Sequence, residues 1–468
     1  MQRSFVLLSC LLVSFLSINI SASAQTANME LLYNWTNPSL PGSSAFNNTY
    51  NEVWGFEQNG TKYGVVGSTW GTYFFDLSDP DNIQIVDSVE GAYTGGGVIH
   101  RDYHDYKGYL YAVCDEGVGT STLQIIDLST LPESVSVVYD DLDKFTTSHN
   151  IFIDSVIGRL YVMLVNFNPG SSSMAVYDIA TDPTDPQFLK VYNDGTQFHD
   201  GHINNGIGFF NDGYNSRFLI MDWTDHTNPV ILGSLDNYPD MGYNHSGWPN
   251  EDGSIYVFAD EDHGHAMKVC DVTDPTDINV VSTIFSGVDA MSIPHNQFIR
   301  GDLLYTAYYH DGIYIHDISD PADPKYVTHY KTYQDSDHSS YRGAWGVFPF
   351  PDSDIVLVSD MQYGFFAFRV NGLPSGIDDP ILKVESVFPN PATEQITVQV
   401  NLSESSSATL SLFNLKGQII KSINAELVTG ANTMNLQLPQ ELAGGLYMLR
   451  LDASGDVFTE QFIKISQD

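Results

Sequence analysis

Basic residues are scarce in this chain. Nineteen Lys plus Arg stand against 58 Asp plus Glu, a formal net charge of −39 over 468 residues. Nucleic acid is thereby excluded as a partner, because basic side chains must replace the counterions condensed on phosphates. An anionic membrane surface is disfavoured on the same ground. Cysteine is nearly absent, with three in all. Cys114 and Cys270 close strand patterns (YLYAVC and MKVC) far apart in the chain, so two buried thiols are expected rather than a disulfide. After residue 24 no segment approaches the ~18 uninterrupted apolar residues of a membrane-spanning helix. Such a balance suits a soluble exported protein, cationic ligands, or calcium held between carboxylates.

The apolar run that is present lies at the start. Arg3, the stretch from Phe5 to Ile20 and the small-residue site Ala22-Ser23-Ala24 make residues 1–24 an expected export signal. The third cysteine, Cys10, falls inside that run, which continues well past it and so argues against a lipid anchor there. Apolar residues at 42% are enough for packed cores, and 13% aromatics with frequent Gly and Pro favour β structure.

Six times a short apolar strand ends in Asp and enters a polar turn: at Asp76, Asp127, Asp178, Asp222, Asp271 and Asp317, with gaps of 51, 51, 44, 49 and 46. A period near fifty signals a repeat architecture. Within residues 149–192 the pattern reads as four short strands bounded by Gly, Asn, Asp and Pro, which is what a β-propeller blade needs. A seventh unit, AWGVFPF to GFFAFRV, lacks a fourth strand of its own. The early segment MELLYNW (29–35) is expected to supply it and close the circle, leaving no open edge. The repeated Asp is read as a turn device that accepts backbone N–H groups two or three residues on.

A second series recurs in the first strand of each blade: Trp54, Arg101, His149, His199, His245, His295 and Trp345, followed by residues such as Asp102, Asp200 and Asn296. Propeller geometry places these starts on the face that also carries the strand 2–3 loops. Those loops hold Asp115, Glu116, Asp260, Glu261 and Tyr363, and the His263-Gly264-His265 string, with Tyr309 among the aromatics around the mouth. Imidazoles, carboxylates and aromatics are thus expected around one mouth of the channel. A divalent metal, zinc or calcium, is the sharpest functional expectation there. Its candidate ligands are His149, His199, His245, His295, Asp115, Glu116, Asp260 and Glu261. Trp54, Arg101, Asp102, Tyr309, Trp345 and Tyr363 are the candidate ligand-binding residues. The competing reading has the same imidazoles and their neighbours hydrogen-bonding between blades and fixing the seams. No Gly-x-Ser-x-Gly elbow or His-Glu-x-x-His string is present, so no catalytic residue is assigned.

The strand-Asp-Ser/Thr-Asp-Pro phrases resemble the LVIVD repeat. The strings SHNIFID, QFHDGHI, YNHSGWPNEDGSIYVFADE and PHNQFIRGDLLYTAYYHDGIYIHDISD resemble the bacterial choice-of-anchor B propeller proteins over about residues 30–370. That resemblance brings no settled activity. Residues 385–468, with VFPNPATEQITV, LSLFNLKGQIIKS and LPQELAGGLYMLRL, are similar to the type A C-terminal sorting domain of the type IX secretion system of Bacteroidota. The similarity implies Sec export, passage through the secretion machinery, and surface attachment or release with loss of the tail. The expected organisation is an all-β chain: signal peptide 1–24, a seven-bladed β-propeller over 25–372, linker 373–384, and a small Ig-like β-sandwich sorting domain over 385–468. The expected role is a secreted or cell-surface binding or adhesion module for a glycan or protein. The alternative is a metal-dependent surface hydrolase or lyase.

Overall fold

The computed structural model describes residues 28–335, 337–373, 382–402, 405–414, 419–453 and 456–465. The expected signal peptide and most of the expected linker lie outside the described residues.

Each repeat pairs its strands in sequence order, because turns this short can join only adjacent antiparallel strands. Among the described residues this yields seven four-stranded sheets, the blades. Blade three runs Asn150–Asp154, Arg159–Asn166, Ser171–Asp178 and Gln187–Tyr192, close to the boundaries read from the sequence. Burial falls outward along it. Ile151 to Asp154 and Leu160 to Met163 are buried, whereas Gln187 and Phe188 in the fourth strand are exposed. Inner strands lie between neighbouring blades and so read as continuous apolar runs, and the outer strand meets water on one side.

Blade seven is completed from the other end of the chain. Asn28–Trp35 pairs antiparallel with Gly364–Asn371, from Asn28 opposite Asn371 to Trp35 opposite Phe365. Trp35 then packs into blade one, with ring centroids 4.5 Å from Tyr73, 5.5 Å from Phe75 and 5.8 Å from Tyr50. The two ends are thereby locked into one closed circle.

The recurrent Asp does what its turn requires. Asp76, Asp127, Asp222, Asp271 and Asp317 each accept the backbone N–H two residues on, at 2.7–3.0 Å. Asp178 accepts that of Thr181, three residues on, at 3.3 Å. Asp317→Ala is expected to cost about 1 kcal/mol in a urea melt, since it strips the acceptor from an otherwise unpaired N–H. Asp317→Asn, which keeps an acceptor oxygen, should cost less than half of that.

Cys114 and Cys270 are both buried and unbridged. The C-terminal residues form two sheets of their own, one of Leu382–Phe388, Gln395–Leu402 and Gly430–Gln437 and one of four strands from Ser406–Phe413 to Asp456–Lys464. Alternating Ile396, Val398 and Val400 from one sheet and Leu410, Leu449 and Leu451 from the other share a buried core. No helix among the described residues is long and apolar enough to cross a membrane.

Candidate functional site

The first strands of the blades line the axis, so side chains at equivalent positions meet in layers. The layer at the mouth is a closed circle of six rings. His100, His149, His199, His245, His295 and Trp345 follow one another with centroid separations of 4.8, 4.2, 4.2, 4.4 and 4.4 Å, and Trp345 returns to His100 at 5.3 Å. Four of the predicted imidazoles and Trp345 therefore do converge.

Two members of the predicted series do not belong to that circle. Trp54 lies in a separate layer, packed between His104 (4.6 Å) and Phe348 (4.9 Å), with its Nε1–H donated to Asp105 at 2.9 Å. The first hairpin of blade one runs two residues further than that of blade two, to its Asn59-Gly60 turn, so counting back from the turn stops short of the mouth. The true counterpart of His149 in blade one is Asn51, three residues earlier. Arg101 turns away from the axis, donating from Nε to the Ser68 carbonyl (2.8 Å) and from Nη2 to that of Tyr93 (2.7 Å). Gly91 makes room for it: a Cβ there would stand 2.4 Å from the guanidinium. His100 takes the vacated place in the circle.

The seam reading holds for part of the set. His199 Nδ1 bonds the His245 carbonyl at 3.0 Å, and His295 Nδ1 bonds that of Trp345 at 2.6 Å, each reaching into the next blade. Ser246 donates to the His295 carbonyl at 2.6 Å, and Asp102 accepts the Ile151 N–H at 2.7 Å. Those bonds use Nδ1 and leave Nε2. A metal-ligating histidine is oriented in the same way, by donating its second N–H to a carbonyl.

Carboxylates from the strand 2–3 loops then produce two ligand-like triads, His100–Asp115–His149 and His245–Glu261–His295. They differ in what is already spent. His149 Nδ1 is bonded to Asp115 at 2.8 Å, and His100 Nδ1 to Glu116 at 2.7 Å. In the second triad His245 Nε2 stands 3.5 Å and His295 Nε2 4.0 Å from Glu261, beyond a good hydrogen bond, and His245 Nδ1 has no partner. Donors around a tetrahedral zinc lie about 3.3 Å apart, given bonds of about 2.0–2.1 Å. The second triad is therefore close to a two-imidazole, one-carboxylate site with the ion-facing atoms free. Tyr309 supports it, donating its hydroxyl to Glu261 while its ring packs 4.9 Å from His295.

Beneath the imidazoles, Glu52, Asp102, Asn150, Asp200 and Asn296 share a narrow pocket of about 50 Å³ with them. Glu52 reaches across to Asn296 Nδ2 at 2.7 Å, into the space that Gly346 leaves by lacking a Cβ. Burial pushes the carboxyls of Asp102, Asp200 and Glu261 up to about 7. It also raises that of Glu52 well above the ordinary glutamate value, with the Asp102 charge adding to it. Burial also drives His199 and His245 well below the ordinary imidazole value, helped by neighbouring imidazoles, and His295 down to about 3. His149 is the exception. Burial opposes its charge, but Asp115 outweighs that and raises it, and Asp115 is held below its usual value in return.

The remaining predicted residues are placed elsewhere. Asp260 is buried in blade five, accepting from Lys268 Nζ at 2.6 Å and Tyr238 at 2.9 Å, an ion pair with no part in the mouth. Tyr363 packs on Tyr333 at 5.9 Å rather than on the circle. His263 and His265 bond the carbonyls of Met291 and Asp240 and join neither triad. His100 and Glu52 belong to the site and lie outside the predicted set. The signal for Glu52 is its spacing of fifty residues from Asp102.

Residues 386–465 match a family described as "Secretion system C-terminal sorting domain". No curated protein matches the chain. The propeller is similar to the β-propeller domain of Cps50 (Swd1) from Myceliophteria thermophila, at 10% identity and a TM-score of 0.51, over 73% of this chain and 99% of that one. A looser likeness, TM-score 0.45 at 11% identity, is to PorZ, described as a surface component of the type IX secretion system of Porphyromonas gingivalis, over 92% of this chain and 61% of that one. The chain is a β-propeller-like protein with a type IX secretion system C-terminal sorting domain. That domain implies engagement with the secretion machinery, and with it secretion or attachment at the cell surface.

Proposed function

We propose that the protein is an extracellular binding module of the LVIVD-repeat, choice-of-anchor B kind, and that its mouth holds one divalent transition metal on His245, His295 and Glu261. The observation that carries this reading is the pair of imidazole Nε2 atoms facing one carboxylate at 3.5 and 4.0 Å with no protein cation between them. Imidazole donors favour zinc over calcium. The open position of a three-ligand site would receive an oxygen or nitrogen of the partner, glycan or protein, at the rim. Trp345 and Tyr309, packed against His295, supply apolar contact beside it.

Metal analysis by mass spectrometry on the purified ectodomain tests the proposal. One equivalent of zinc-like metal is expected, lost in the His245→Ala/His295→Ala variant while the fold survives by circular dichroism. A metal-free wild type that also fails to take up added zinc would refute it. The rival reading, a metal-dependent hydrolase or lyase, draws support from Asp102 and Asp200. Both carboxyls rest near the pKa a general base needs, in the layer directly below. Turnover of chromogenic esters or glycosides that disappears with chelation would favour it.

A further inference from the structure

The channel has a second end, at the strand 1–2 turns, and its chemistry is the reverse of the first. Trp54, His104, Phe152, His202, Trp248, Phe298 and Phe348 form an unbroken circle of seven rings, one from each blade. Successive centroids are 4.6, 4.7, 4.6, 4.6, 3.8 and 5.4 Å apart, and Phe348 closes on Trp54 at 4.9 Å. The residue numbers step by 50, 48, 50, 46, 50 and 50, so the layer is a property of the repeat itself. Blade packing explains why large residues stand at these positions. It does not explain why they enclose a space.

Below this circle opens a bowl of about 270 Å³, walled by several of its rings with Phe56 and Phe350. Gly55 keeps it open: a Cβ there would stand 2.4 Å from Phe348 and 2.8 Å from Phe350. The bowl's acidic and basic side chains are Arg300, Asp105 and Glu57, and Glu57 already faces Lys62 Nζ at 3.9 Å. The Arg300 guanidinium lies over Phe298, 4.6 Å from its centroid, and its one hydrogen bond among the described residues is a long one of 3.4 Å from Nε to the Pro349 carbonyl. Both Nη groups are therefore available. Asp105 gives Oδ1 to Trp54 and keeps its second oxygen. His104 is held neutral by burial, so it adds no charge.

Three features narrow the occupant. The volume lies just under the ~300–1,000 Å³ of drug-sized sites, which fits a ligand about as large as one amino acid. The walls are aromatic, which favours a flat ring. The polar groups have both signs, so a simple anion would face two carboxylates and a simple cation would face a guanidinium. We propose that this bowl binds an aromatic α-amino acid as its zwitterion, with the carboxylate on Arg300, the ammonium on Asp105, and the ring among Trp54, Trp248 and Phe298.

Calorimetric titration of the intact propeller protein with L-phenylalanine tests this, using phenethylamine, 3-phenylpropionate and glycine as controls. Phenylalanine should bind one to one, with each control at least about tenfold weaker: phenethylamine and 3-phenylpropionate each lose a charge-assisted contact, and glycine loses the burial of the ring. Arg300→Gln should weaken phenylalanine about tenfold or more and leave phenethylamine unchanged. Asp105→Asn, which retains an acceptor for Trp54, should weaken phenylalanine and spare 3-phenylpropionate. A chelator should alter none of these affinities, which separates the bowl from the mouth. No phenylalanine binding at about 10 mM, roughly the weakest useful affinity, or equal binding of any of the three controls, would overturn the proposal.

Discussion

A chain that begins after Trp35 is expected to lose most of its folding stability, more than about 5 kcal/mol of the ~5–15 kcal/mol a native protein holds. The reason is topological. Six blades close within themselves, but the seventh takes its outer strand from residues 28–35, and without it Gly364–Asn371 becomes an open edge. The lost strand also carries Trp35, whose ring touches Tyr50, Tyr73 and Phe75 of blade one, so the seam between the first and last blades opens as well. Trp35→Ala alone should cost about 2–3 kcal/mol, below the value for a fully enclosed Trp because its ring is part exposed. The measurement is chemical denaturation of the full-length and shortened proteins. A synthetic peptide of residues 28–35 should restore part of the lost stability by adding back as a strand. A shortened protein that melts like the parent would mean that closure does not hold the circle together.

How much of this could be read from residues alone follows from which signals are local. Blade number, the closing strand and the turn role of Asp76 and its five equivalents depend on strand-and-turn chemistry over ten residues, and each was legible. The mouth depends on register, which is less local. His149, His199, His245 and His295 were found because their first hairpins have similar lengths. Blade one breaks the rule with its longer hairpin, and so Trp54 was assigned to the mouth when it belongs to the opposite layer. Arg101 matched by position but not by direction. A guanidinium has five donors, and the carbonyls of Ser68 and Tyr93 beside the cleared space at Gly91 satisfy two of them better than an open mouth would. Asp260 shows the same limit. It adjoins Glu261 in sequence, yet alternation along the strand sends it to Lys268, a contact that no spacing announces. The aromatic circle at the far end was visible in principle, since its seven positions keep the period, but six ordinary strand residues give no reason to look there.

Metal affinity at the mouth should rise about tenfold per pH unit between about 5 and 7 and then level off, displacing one proton rather than two or three. The sign comes from the groups involved. Burial raises Glu261 from the usual glutamate value to about 7, so below that pH the folded protein holds a proton that an incoming cation must remove. His245 and His295 are depressed, and so they are already neutral over this range and do not compete. An exposed His-rich site would instead titrate near 6.5 with two protons lost. Folding stability without metal carries the same signature. The raised carboxyls of Glu261, Asp102 and Asp200 are stabilised by protonation in the folded state, so their contribution is full below about 4 and is lost as pH rises to about 7. The depressed imidazoles act oppositely, losing stability as pH falls below 6.5. Between about 4 and 6.5 the two trends offset, and above 6.5 only the carboxyl loss remains. Zinc should therefore raise the melting temperature more at pH 7.5 than at pH 5.5. Glu261→Gln removes the displaced proton and the charge together, so its zinc affinity should fall at least about a hundredfold at pH 7.5 and lose its slope. A parent protein that releases two or more protons on binding, with a midpoint near 6.5, would place the ion on solvent-exposed histidines and not on the buried triad.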